Sequence, residues 1–133
     1  MNAQLKEIIT ESLALKGYIV VDEFTDNDLL HIEDKMYAVI GEKSQTVVSH
    51  AYDCSSQFET REMCQTITLE FIAGNPDDRT RLETLMNAYV RNFDLPSPFF
   101  TKSVTKGSMK RNSLFNRLSV TVTIEVFFSE ELV

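Results

Sequence analysis

Asn116-Arg117-Leu118-Ser119-Val120-Thr121-Val122-Thr123-Ile124-Glu125-Val126-Phe127-Phe128 alternates apolar and polar residues along its length. Leu118, Val120, Val122, Ile124, Val126 and Phe128 fall on one side, and Arg117, Ser119, Thr121, Thr123 and Glu125 on the other. Successive side chains of a strand point to opposite faces, so the stretch reads as one long, half-buried β-strand. A sheet built around it has one apolar and one polar face.

Working back along the chain, Glu62 to Ile72 repeats the pattern. Met63, Ile67, Leu69 and Phe71 lie on one side, with Thr66, Thr68 and Glu70 on the other. The two segments are natural antiparallel neighbours. Between them Gly74-Asn75-Pro76-Asp77-Asp78 supplies an N-cap, a proline at the first helical position and acids in the first turn. The helix that follows carries an apolar stripe of Leu82, Leu85, Met86, Tyr89 and Phe93, with Arg79, Arg81, Glu83 and Arg91 outside it, and Leu95-Pro96-Ser97-Pro98 ends it.

The N-terminal part adds a second amphipathic helix over 3–16, from Leu5, Ile8, Ile9, Leu13 and Leu15, with Gly17 as its C′ residue. Strands are expected at 18–24, 36–40 and 45–52, then at 99–105 beyond the second helix. Thr25 to Asp28 reads as a turn that caps one helical turn through Ile32, Cys54 to Gln57 as a polar loop, and Gly107, Asn112 and Ser113 as turn residues. Phe99 and Phe100, which open a strand, are expected in the core. The order α-β-β-β-β-α-β-β describes one α+β domain over 1–133, with two main helices on a mostly antiparallel sheet.

Charge is unevenly spread. Residues 1–60 hold 11 acids against 4 bases, whereas residues 99–117 hold Lys102, Lys106, Lys110, Arg111, Arg117 and no acid. The formal net charge of −7 disfavours unspecific attachment to nucleic acid. A local basic stretch in an acidic chain still points to docking, either on a polyanion or on an acidic protein face. Five bases interleaved with Phe99, Phe100 and Phe115 keep a small nucleic-acid-binding module open as an alternative.

Little in the chain speaks for catalysis. There is no GxGxxG, Walker, CxxC, HExxH or GxSxG pattern, and the paired acids flank turns or a helix start. Cys54 and Cys64 are expected as free thiols, and His31 and His50 show no metal-ligand spacing with them. No enzyme, cofactor or metal is therefore expected. No apolar run is long enough to span a bilayer, and the first residues lack a signal-peptide pattern, so a cytoplasmic protein without membrane contact is expected.

The whole order resembles the tail-terminator (tail-completion) proteins of long-tailed phages and related minor tail or head–tail joining proteins. Gln65 to Phe71, Asp77 to Phe93 and Leu118 to Val126 carry the likeness. The resemblance implies a homo-oligomeric ring, commonly a hexamer, that caps the tail tube, ends its polymerisation and meets the head–tail connector protein. Assembly in the bacterial cytoplasm and a place in the virion tail follow from the same resemblance. Lys102, Lys106, Lys110, Arg111 and Arg117 would then face Asp22, Glu23, Asp26 and Asp28 of a neighbouring copy, or line a lumen through which phage DNA passes.

Overall fold

Strands that are apolar on one side only need cover on one side only, and two helices supply it. The computed structural model describes residues 2–22, 36–52, 59–73, 79–112 and 117–132. The order is α1 (Ala3–Leu15), β1 (Ile19–Asp22), β2 (Tyr37–Tyr52), β3 (Glu59–Ile72), α2 (Arg79–Arg91), β4 (Phe100–Lys106), β5 (Lys110–Asn112) and β6 (Arg117–Leu132). The strands form one sheet in the order β1-β2-β3-β6-β4, with β5 also paired to β6. Only the β1–β2 pair is parallel. The fold is α+β, with two helices on a mostly antiparallel six-stranded sheet, as the sequence predicts.

The β3–β6 pair is the spine. It runs in unbroken register from Glu59↔Leu132 to Ile72↔Ser119, so the two alternating patterns stay in phase. Met63, Ile67, Leu69 and Phe71 share the covered face with Val120, Val122, Ile124, Val126 and Phe128, and all nine are buried. Leu5, Ile9 and Leu13 of α1 and Leu82, Met86 and Tyr89 of α2 join the same core, which puts both helices on one face. A smaller cluster of Val21, Tyr37 and Ile72 sits apart from it; the Tyr37↔Ile72 pair is one residue out of phase with the core pair Ala38↔Phe71, hence on the opposite face.

Local chemistry sets the helix ends. The Asn2 side chain accepts from the Leu5 amide at 3.0 Å, capping α1. The Asn2 amide in turn donates to Gln65 Oε1 at 3.2 Å, pinning the helix start to β3. At the other end Gly17 has φ +90°, the left-handed turn that glycine adopts without a Cβ penalty. Ser12 Oγ and Tyr89 Oη share a 2.8 Å hydrogen bond that ties α1 to α2. Phe71 packs its ring against Tyr18 (centroids 5.1 Å apart) and Tyr89 (5.8 Å), linking sheet and helices.

Several local expectations change. The runs at 36–40 and 45–52 are one strand, because β2 carries register shifts between Glu42 and Ser44 and between Val47 and Ser49. Each shift inserts an extra residue and flips the phase of the side chains, which makes a continuous strand look interrupted. Asn112 is not a turn residue: it ends β5, opposite Arg117. Phe99 is buried as expected, but Phe100 is 66 % exposed. Neighbouring residues of a strand face opposite ways, and among the described residues the helices cover only one of the two faces; the other is buried at the Tyr37–Ile72 end and open around Phe100. The turn at Thr25–Asp28 with its helical turn through Ile32, the loop at Cys54–Gln57, the helix cap at Asn75–Asp78, Ser113 and Phe115 lie outside the described residues.

Two substitutions test this account. Ile67→Ala, at a fully buried site, should cost about 2–5 kcal/mol in urea unfolding, while Thr68→Ala on the uncovered face should cost far less. Tyr18 is buried and its hydroxyl has no hydrogen-bond partner. Tyr18→Phe should therefore leave the urea midpoint unchanged or raise it, whereas a clear loss would mean that the hydroxyl is satisfied in solution.

Candidate subunit interface

Strand alternation decides where each base of the 99–117 stretch goes. Lys106 pairs with Val122 and Arg111 with Leu118, both core-side positions, so these two bases lie on the helix-bearing side of the sheet. Lys106 Nζ donates to Asn87 Oδ1 of α2 at 3.1 Å. Lys110 pairs with Ser119 and faces the uncovered side. Lys102 is the extra residue at a register shift between Thr101 and Ser103. Its ammonium sits 3.4 Å from Glu125 Oε2 and 5.3 Å from the Phe127 ring centroid, both on the uncovered face. Arg117 is only 6 % exposed and offers no free charge to a neighbour.

The structure therefore splits the five bases between two faces and does not gather them into one patch. Of the acids expected opposite them, Asp22 closes β1 in register with Ile40. Glu23, Asp26 and Asp28 lie outside the described residues. One arrangement could not be read from charge alone. Among the described strands, β1 with the rest of β2 forms one edge of the sheet, and β4 with β5 forms the other. The acidic run therefore starts from one edge, and the basic segment occupies the other.

Both edges resist strand addition. β1 covers only Tyr37–Ile40 of β2, the rest of β2 is broken by two register shifts, and β4 carries a register shift with a lysine at it. Contacts at these edges would be made by side chains rather than by backbone ladders. Glu125 is organised for this: Ser103 Oγ donates to its Oε1 at 3.1 Å while Lys102 holds the other oxygen.

Two recesses open on the uncovered face. One, of about 270 Å³, is lined by Glu70, Gly107, Lys110, Ser119 and Thr121. Gly107 donates its N–H to Thr121 O at 2.9 Å, and a Cβ there would come within 3.0 Å of the same oxygen. The absence of a side chain lets the β4–β5 connection lie close on β6. Glu70 is half-buried, and loss of solvent raises its pKa above the ordinary 4.5. The other, about 310 Å³, is lined by Glu62, Pro98, Phe100, Phe127, Phe128 and Ser129.

The aromatic hollow was missed by composition and charge. Its signal is in the doublets Phe99-Phe100 and Phe127-Phe128. Each must send one ring into the core and one to the other face: Phe99 and Phe128 meet edge to face in the core with centroids 5.7 Å apart. Their neighbours pair across β4–β6 on the other side.

Among the described residues, no group of three or more His, Cys, Asp or Glu side chains could hold a metal, and no helix is long and apolar enough to cross a membrane. Cys64 is a half-buried free thiol. No protein-family model matches the sequence, and no curated protein is similar enough to count as a relative.

Glu70 gives a pH test. With its folded pKa raised, the folded state holds the proton more tightly than the unfolded chain. The stabilisation is fully present below about pH 4.5 and fades as pH rises through the higher folded value. Glu70→Gln should flatten the fall of the urea midpoint above pH 4.5. An unchanged pH profile would show that the burial of Glu70 is not felt.

Proposed function

We propose that the chain is a non-enzymatic assembly protein that forms a ring capping a phage tail tube, ends tube polymerisation and offers the head–tail joining surface. The observation that carries the reading is the sheet order: one edge leads into the acidic run at Asp22, and the opposite edge is the strand bearing Lys102 and Lys106. A ring needs two different patches that meet on neighbouring copies, and opposite charge at opposite edges is such a pair. Side-chain contacts of this kind set register and encounter rate more than affinity. The long strand spine with helices on one side supplies a rigid block for such a ring. The partners would be further copies of the chain, the tail-tube protein and the head–tail connector protein, with assembly in the bacterial cytoplasm.

The nucleic-acid reading draws less support. The five bases divide between two faces, Lys102 and Lys106 are engaged within the chain, and Arg117 is buried. A DNA-tracking groove needs its cations on one side. Salt-sensitive DNA binding that disappears on Lys110→Glu with Arg111→Glu would favour that reading instead.

Electron microscopy of the protein mixed with the tail-tube protein of the same phage is the decisive test. Tubes of limited length, each closed by a ring, are expected, and open tubes that grow without limit would count against the proposal. Lys106→Glu with Lys110→Glu should weaken ring formation most at low salt, with the loss shrinking as ionic strength rises.

A further inference from the structure

Among the described residues, three large hydrophobic side chains stand exposed: Leu15 at 86 %, Phe100 at 66 % and Val47 at 39 %. Single exposed apolar residues are common and need no explanation. Phe100 differs because it rims a concave hollow of about 310 Å³ floored by Phe127 and Phe128 and bordered by Pro98. Leu15 differs because it is convex. It ends the outer stripe Glu7, Glu11, Leu15 of α1, all three exposed.

Resting on the ring reading above, we propose that Leu15 of one copy seats in the Phe100–Phe127 hollow of the next. The fold keeps the two apart within a chain. α1 lies on the helix-bearing side of the sheet, while Phe100 and Phe127 pair on the uncovered side. Knob and hollow can therefore meet only between copies. Because the two patches differ, the contact is heterologous and propagates head to tail until it closes.

The charges around each patch match. One turn before the knob is Glu11 and directly after it Lys16, both exposed. At the hollow, Lys102 lies over Phe127 on one side and Glu62 forms the lining on the other. An acid and a base beside the leucine thus meet a base and an acid beside the aromatics. Lys102 is already paired with Glu125 and Glu62 is likewise engaged within the chain, so this match only orients the docking, and the buried leucine and aromatic rings supply the affinity.

The test uses two variants at exposed positions, Leu15→Asp and Phe100→Asp, whose folding is checked by circular dichroism. Each alone should self-associate about tenfold or more weakly than the wild type in sedimentation velocity, and neither should form rings on the tube. Leu15→Asp keeps its hollow and Phe100→Asp keeps its knob. An equimolar mixture should therefore form a 1:1 dimer and nothing larger. If both variants build rings like the wild type, or if the mixture stays monomeric while each variant is defective, the Leu15 contact is wrong and the ring reading stands. If the wild type forms no ring alone or on tail tubes, the ring reading falls and takes this contact with it.

Discussion

Among the described residues helices cover only one face of the sheet, and a strand must keep the two-residue period that this imposes or break it with an inserted residue, as β2 and β4 do. The β3–β6 pair meets the demand over fourteen residues without a register shift. Between Met63 and Phe71 of β3 and Val120 and Phe128 of β6 its inward positions are Val, Ile, Leu, Met and Phe with one exception, Gln65. That residue is fully buried, and its side-chain oxygen holds the Asn2 amide at the start of α1. The Nε2 of the same amide has no partner. A buried polar group costs stability, and here half of it is used to fix where a helix begins on the sheet.

The same constraint produces the surface. Whatever the alternation sends outward from β3, β6 and β4 forms a broad uncovered face of Thr66, Thr68, Thr121, Thr123, Glu125 and Phe127. The threonines suit a strand and tolerate water. Phe127 and Phe100 do not belong to that class, and Lys102 partly shields the first of them. With both edges of the described sheet poorly suited to strand addition, any partner would be met by side chains rather than by a backbone ladder. Under the ring proposal, such contacts would avoid the aggregation risk that an open, flat edge carries.

Much of the architecture was legible because it depends on periodicity. α1, α2, β3 and β6 come straight from apolar spacing, and their faces fall as the residues imply except at Leu15, which was expected in the apolar stripe of α1 but lies off the Leu5–Ile9–Leu13 face and is 86 % exposed. β2 was harder. Its core-side positions, Ala38, Ile40, Glu42, Gln45 and Val47, are no longer two apart after the shift at Lys43, so the strand looked like two. β5 was too short to show a pattern and needed its partner to exist. The candidate interface was legible as a charge imbalance but not as a shape. A run of five bases says nothing about face, and pairing against Val122, Leu118 and Ser119 sent them different ways. The hollow was hidden because a Phe-Phe doublet looks like extra core until one side of the sheet is known to be bare.

The position of β6 has a consequence for timing. Among the described strands it is the latest, yet it lies between β3 and β4 and is also the one that pairs with β5. While the chain is being made, β1, β2 and β3 can pair among themselves, but β4 and β5 have nothing to pair with until β6 emerges. The spine, the uncovered face and the aromatic hollow therefore arrive together in the last step of folding, through contacts distant in sequence. A partly synthesised subunit has no hollow and no β4 edge to offer. Under the ring proposal, self-association at those surfaces would wait for Arg117–Leu132, and the strand order would keep a nascent chain out of premature assembly.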